Sequence, residues 1–150
     1  MEFKEVSECP YYLITRVSLV ATTFLKRELA RAGVAHVRPA YLGVLMSLWV
    51  ENNLKAVELG KRAGLEPSSM TGLLDRMERD ALVVRKADPA DRRAQRIRLT
   101  ESGLKVKDSV LEVLNRALKS MLEGVGERDV DRLKESLRRI LANTHKQSEQ

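Results

Sequence analysis

Between Arg85 and Arg98 the chain places six basic side chains, Arg85, Lys86, Arg92, Arg93, Arg96 and Arg98, and only Asp88 and Asp91 oppose them. Cations at this density suggest contact with phosphate, and the excess is local. Leu54 to Leu99 carries eleven Lys/Arg against seven Asp/Glu, a net of +4, and all of that excess lies in the stretch from Arg85 to Arg98. A charge run of this kind is often only a solvated face. Its position in a turn, directly after two short helical patterns, is what favours a nucleic acid.

A second set of polar side chains precedes it. Glu66-Pro67 opens a helical pattern that runs to about Asp80, in which Met70, Leu73, Leu74, Met77 and Ala81 share one face. Ser68, Gly72, Asp75 and Arg79 then point the opposite way, with Ser69, Thr71 and Arg76 beside them. Short hydroxyl and guanidinium groups on an exposed helix face suit a DNA groove. Ser68 and Ser69 can also serve simply as first-turn residues that satisfy free backbone N–H groups. Asp75 reads as an i,i+4 partner of Arg79.

The elements that must position these groups follow from periodicity and punctuation. A long helix is expected from about Tyr11 to Ala32, with stripes at Leu13, Val17, Val20, Phe24 and at Ile14, Ala21, Leu25, Leu29, stopped by Gly33. A second should run from about Arg38 to Glu51, with Pro39 in its first turn, and a short third from Ala56 to Ala63, closed by Gly64. After the helix at Pro67, Leu82-Val83-Val84-Arg85 and Gln95-Arg96-Ile97-Arg98-Leu99 read as two strands, with Asp88-Pro89-Ala90-Asp91-Arg92-Arg93 as the turn between them. Thr100 should cap a long helix to about Glu123, and a last helix is expected from Glu127 to Asn143, after Gly124 and Gly126. Helix, helix, strand, charged turn and strand in that order make a winged helix-turn-helix. The fold class is mostly α with a small β-hairpin, flanked by N- and C-terminal dimerisation helices.

Composition narrows the alternatives. The chain has 150 residues, 43% hydrophobic and 32% charged, which is the make-up of one ordinary globular domain. Apolar runs such as Ala40 to Val50 are too short to span a bilayer, and Met1-Glu2-Phe3-Lys4-Glu5 has no apolar signal core, so a cytoplasmic protein without a membrane partner is expected. One cysteine and two distant histidines, His36 and His145, give no metal site and no cofactor site. Nor do they supply a nucleophile and base for an enzyme. A winged helix that only contacts protein stays open, but such a wing would not require the hairpin's positive charge.

From Ala56-Val57-Glu58-Leu59 through Ala63-Gly64-Leu65-Glu66-Pro67-Ser68-Ser69-Met70-Thr71 to Leu74-Asp75-Arg76-Met77-Glu78, the chain resembles MarR-family transcriptional regulators. The resemblance continues through Leu82-Val83-Val84-Arg85, Asp88-Pro89-Ala90-Asp91-Arg92-Arg93 and Leu99-Thr100-Glu101-Ser102-Gly103. It implies a single domain over 1–150, with residues 54–99 reading DNA and the spans 1–35 and 100–150 joining a homodimer on a pseudo-palindromic operator of double-stranded DNA. Ser68, Ser69, Thr71 and Arg76 fall on the family's groove- and phosphate-facing positions, and Asp91 and Arg93 on its wing pair. The resemblance thus gives Arg93 a role in the minor groove, a narrow negative channel that attracts an inserted guanidinium, with Asp91 holding that side chain extended. Arg92 and Arg96 complete the basic wing. Gly72 stands where many relatives carry a larger side chain, and Lys55 where a Ser or Thr cap is common.

The resemblance also implies regulation, most simply a repressor released by a small aromatic or phenolic effector. Tyr11, Tyr12, Arg16, Arg38, Tyr41, Met46 and Trp49 form the candidate effector set, although aromatic and Met residues at helical spacing also serve as core. Peroxide-sensing members suggest a second input. In Cys9-Pro10-Tyr11-Tyr12 the thiol would sit at a helix N-terminus near tyrosine hydroxyls, with no second cysteine to resolve an internal disulfide.

Overall fold

The computed structural model describes residues 5–148, with side chains described as far as residue 144. The first four residues of the expected span 1–35 and the last two of 100–150 lie outside the described residues. The chain divides into two compact units, Met1–Ala117 and Leu118–Gln150.

In the first unit α1 spans Pro10–Arg31, with Cys9 as its N-cap and Pro10 at a position where a missing N–H costs nothing. Its C-terminal half buries Leu25 and Leu29, while Leu13, Ile14, Val17 and Val20 remain exposed. The expected helix from Arg38 is shorter than its pattern. Arg38 is extended (φ −93°, ψ 146°), as the residue before a proline prefers, so a single 3-10 turn over Pro39–Tyr41 precedes α2 at Leu42–Val50.

A short strand that the pattern did not announce comes next. β1, Leu54–Lys55, pairs antiparallel with the third strand through Leu54↔Ile97 and Lys55↔Arg96, so the hairpin is part of a three-stranded sheet. α3 (Ala56–Ala63) ends at Gly64, whose φ of 68° suits glycine, and α4 (Pro67–Arg79) follows. The two helices touch closely at Gly60, where a Cβ would lie 3.1 Å from Met70 Cγ and 3.3 Å from the Leu65 carbonyl oxygen.

α4 buries Met70, Leu73, Leu74 and Met77 as its periodicity required. Ala81 does not join them. It is exposed at φ 58°, beyond the helix end, where its N–H reaches Glu78 O at 2.9 Å and the Leu82 N–H reaches Met77 O at 2.9 Å. β2 (Val83–Ala87) and β3 (Gln95–Leu99) then pair from Val83↔Leu99 to Ala87↔Gln95, giving the order β1-β3-β2. Val83, Ile97 and Leu99 point inward to join Tyr41, Leu45, Leu48, Leu59, Met77 and Leu82 in one core.

Thr100 caps the following helix as expected, its hydroxyl accepting from the Gly103 N–H at 2.9 Å and donating to Ala81 O at 2.6 Å. The single helix expected to Glu123 is two helices, α5 (Glu101–Lys105) and α6 (Lys107–Met121), separated by buried Val106. Gly103 of α5 lies against the residue that precedes β2, so close that a Cβ there would overlap the Leu82 carbonyl oxygen. One α6 stripe, Val110, Val113 and Ala117, is buried in the core.

The second unit holds the end of α6, Gly124 in the left-handed region (φ 81°) and α7 over Glu127–Ser148. Leu133, Leu137, Ile140 and Leu141 are exposed along α7. Ion pairs one turn apart, Lys134–Asp131 at 3.1 Å and Arg139–Glu135 at 3.0 Å, line its polar side. Among the described residues no helix is long and apolar enough to cross a membrane.

Candidate nucleic-acid interface

α4 presents Ser68, Ser69, Thr71 and Arg76 to solvent, as the sequence suggested. Neither Glu66 nor Lys55 makes a side-chain cap at the helix it precedes, so the Pro67 ring and the close contact at Gly60 must do more of the positioning. The Thr71 hydroxyl donates back to Pro67 O at 3.3 Å. At Gly72 a Cβ would meet only Arg76 Nη1, at 3.6 Å. That is ordinary contact, so the fold does not require glycine there, and its effect is to leave this face low.

The polar side of α4 is tied to the hairpin by Arg85. Its guanidinium reaches Glu78 Oε2 at 2.5 Å, Asp75 Oδ1 at 2.8 Å and the Thr71 carbonyl at 3.1 Å, and the Arg85 backbone N–H donates to Glu78 Oε1 at 2.8 Å. Partial burial alone would lower the Arg85 pKa, but the bonds to Glu78 and Asp75 outweigh it and raise it. Two expectations change here. Asp75 pairs with Arg85 rather than Arg79, and Arg85 is taken up by carboxylates rather than held out toward phosphate.

The turn from Asp88 to Ala94 is organised by two carboxylates. Asp88 is only 3% exposed. Its Oδ1 accepts the N–H groups of Ala90 (2.8 Å) and Asp91 (3.3 Å), and its Oδ2 faces Arg96 Nε (2.7 Å) and Lys55 Nζ (4.0 Å). The Ala90 N–H, with help from Arg96 and Lys55, holds the Asp88 carboxyl below the usual carboxylate range against the opposing effect of desolvation. Asp91 Oδ1 in turn accepts the Arg93 N–H at 3.0 Å, and Asp91 O accepts the Ala94 N–H at 3.0 Å. Asp91 therefore orders the backbone that carries Arg93 instead of gripping its guanidinium.

Arg92 and Arg93 are exposed at the tip of this ordered turn. Arg96, expected beside them, is turned inward: besides Asp88, it donates from Nη1 to the Asn53 carbonyl at 2.9 Å. It braces the wing. In the sequence Asp88 shows only turn chemistry, and the Asp-Pro at the turn's entry is the signal that points to its larger part.

The candidate effector residues differ in burial. Tyr41 is fully buried, its hydroxyl donating to Asp80 Oδ2 at 2.6 Å, and Trp49 donates from Nε1 to the Gly103 carbonyl at 2.9 Å. Tyr41 therefore belongs to the core, which corrects its place in the effector set, while Trp49 is only partly buried and packs against that core. Burial first, then the bond to Asp80, raises the Tyr41 pKa. Arg38 joins the same carboxylate at 3.5 Å, while Tyr11, Arg16 and Met46 are exposed and Tyr12 is half-buried. Cys9 is a free thiol, partly covered. Among the described residues no cluster of His, Cys, Asp and Glu could hold a metal ion.

The family model described as the MarR family matches residues 39–94, which run from the 3-10 turn through the wing. The organic hydroperoxide resistance transcriptional regulator of Bacillus subtilis (strain 168) is 31% identical over 110 residues, 73% of each chain. The PcaV transcriptional regulator from Streptomyces coelicolor, crystallised with its natural ligand, superposes with a TM-score of 0.81 at 22% identity, covering 93% of this chain and 96% of its own. The transcriptional repressor CouR, bound to a 23-mer DNA duplex, gives 0.80 at 24% identity, covering 93% and 97%. CouR from Rhodococcus jostii RHA1 is also known bound to p-coumaroyl-CoA, with a TM-score of 0.77 at 24% identity over 93% and 96% of the chains.

Proposed function

The chain belongs to the MarR family of transcriptional regulators, and on that premise we propose that it is a cytoplasmic repressor that binds a pseudo-palindromic operator as a homodimer and is released by a small aromatic or phenolic effector. The observation that carries the DNA contact is the ordered wing, in which Asp88 and Asp91 fix the backbone and leave Arg92 and Arg93 exposed beside a helix clamped by Arg85. Ser68, Ser69, Thr71, Gly72 and Arg76 then face the major groove, and Arg93 enters the adjacent minor groove.

The dimer reading rests on apolar surface that each unit leaves bare: Leu13, Ile14, Val17 and Val20 on α1, and Leu133, Leu137, Ile140 and Leu141 on α7. Rows of exposed apolar side chains of this size belong against another surface. The whole chain then acts as one domain, with the spans 1–35 and 100–150 in the dimer and 54–99 on DNA. For the effector, Tyr11, Tyr12, Arg16, Arg38, Met46 and Trp49 remain as candidates, and the p-coumaroyl-CoA bound to CouR supports a phenolic ligand.

A second reading is favoured by Cys9, a partly covered free thiol at the N-cap of α1, together with the 31% identity to the organic hydroperoxide resistance regulator. Here peroxide, not a phenol, releases DNA. Selection of bound fragments from random duplex DNA, repeated with phenolic compounds and with organic hydroperoxide, tests both readings. The proposal expects a two-fold symmetric motif that is lost with one class of compound, and recovery of no motif would contradict it. Loss with hydroperoxide in the native protein but not in Cys9→Ser would favour the second reading.

A further inference from the structure

We propose that Asp88 is a positioning residue for DNA binding: without meeting the nucleic acid, its carboxylate sets the backbone that carries Arg92 and Arg93. This rests on the reading of the wing as a DNA contact. A nearly buried acid beneath a surface meant for a polyanion is electrostatically unfavourable, so its presence needs a geometric reason. The contacts supply one. Oδ1 gathers the N–H groups of Ala90 and Asp91 at 2.8 and 3.3 Å, which turns the chain immediately before Arg92. Oδ2 anchors that turn to the sheet through Arg96 of β3 at 2.7 Å and Lys55 of β1 at 4.0 Å.

The anchoring reaches further. Arg96 Nη1 holds the Asn53 carbonyl at 2.9 Å, just ahead of β1, and the Asp88 N–H closes the loop on Ala94 O at 3.0 Å. The base of the wing is thus tied to both neighbouring strands. Ordering Arg92 and Arg93 before binding removes an entropy cost that a loose turn would incur on the DNA. The lowered pKa of the Asp88 carboxyl agrees with a charge used by its surroundings.

Charge and geometry make opposite demands on Asp88→Asn. The substitution removes a negative charge, which by Coulomb's law alone tightens DNA binding. Loss of the Arg96 anchor loosens the turn and weakens it. Binding to a labelled random-sequence duplex, followed by fluorescence anisotropy at fixed salt, should weaken roughly tenfold in Asp88→Asn, the size of one charged hydrogen bond lost. Asp88→Ser, which keeps a short acceptor for the Ala90 N–H, should weaken similarly.

A cycle with Arg92→Ala/Arg93→Ala separates positioning from general damage. That double variant should itself bind more weakly, and adding Asp88→Asn to it should cost nothing further. Amide exchange should quicken at Arg93 and Ala94 in Asp88→Asn and stay unchanged across Leu73 to Met77. Equal or tighter binding by Asp88→Asn, or the same tenfold loss in the Arg92→Ala/Arg93→Ala background, would overturn the proposal. If Arg92→Ala/Arg93→Ala binds like the native protein, the wing reading fails first and Asp88 has nothing to position.

Discussion

Arg85 Nη1 lies 2.5 Å from Glu78 Oε2, so that the first strand of the wing and the last turns of α4 share one ion pair. With Asp75 on the same guanidinium, one side chain ties the polar side of the helix to the hairpin. Arg85→Met leaves two carboxylates facing each other. Both remain within reach of water, so the expected loss is about 1–2 kcal/mol of folding stability. Urea denaturation measures it, and an unchanged midpoint would show that the sheet and core hold α4 without the clamp.

Arg93 stands exposed on a turn whose backbone is already ordered by Asp91, so its removal should change binding and not folding. Arg93→Ala should weaken binding to a selected operator by roughly 1–3 kcal/mol, with an unaltered thermal midpoint. Anisotropy and circular dichroism together check this.

Ala81 occupies the left-handed region at φ 58° just beyond α4. An L-residue there costs about 1–2 kcal/mol, part of which glycine returns through its floppier unfolded chain. Ala81→Gly should therefore raise stability by roughly 0.5–1 kcal/mol. A lower melting midpoint would count against the conformation described.

Tyr41 titrates above its ordinary value of 10.0, first because it is buried and then because its hydroxyl donates to Asp80, with Arg38 and Arg76 opposing. A raised folded pKa means that the folded state holds the proton more tightly. The contribution is complete below pH 10 and is lost as pH rises through the higher folded value. Native stability should fall above pH 10 more steeply than that of Tyr41→Phe, which should itself be about 1 kcal/mol less stable at neutral pH. Parallel pH profiles for the two proteins would contradict this.

The order of helices and strands was legible because periodicity, Pro67, Gly64 and Thr100 all mark the same boundaries. β1 was not, since two residues, Leu54 and Lys55, carry no alternation of their own and become a strand only by pairing with Ile97 and Arg96. The break at Val106 was hidden for a related reason: the apolar stripe through Val106, Val110 and Val113 continues across it, with no glycine or proline to mark the division. At the interface, composition located the basic wing but could not say which arginines face outward. Arg85 and Arg96 are distinguished from Arg92 and Arg93 by carboxylates that are distant in sequence or hidden in the turn, Glu78 for the first and Asp88 for the second. Tyr41 had the chemistry of a ligand pocket, and its full burial with a satisfied hydroxyl makes it core.

Hydroxyl-radical footprinting on a selected operator tests the central claim most directly. Two α4 helices and two wings should protect a two-fold symmetric pattern whose half-sites are about 10 base pairs apart, with flanking minor-groove protections that vanish in Arg93→Ala. A single unsymmetric footprint, or flanking protection that survives Arg93→Ala, would contradict it.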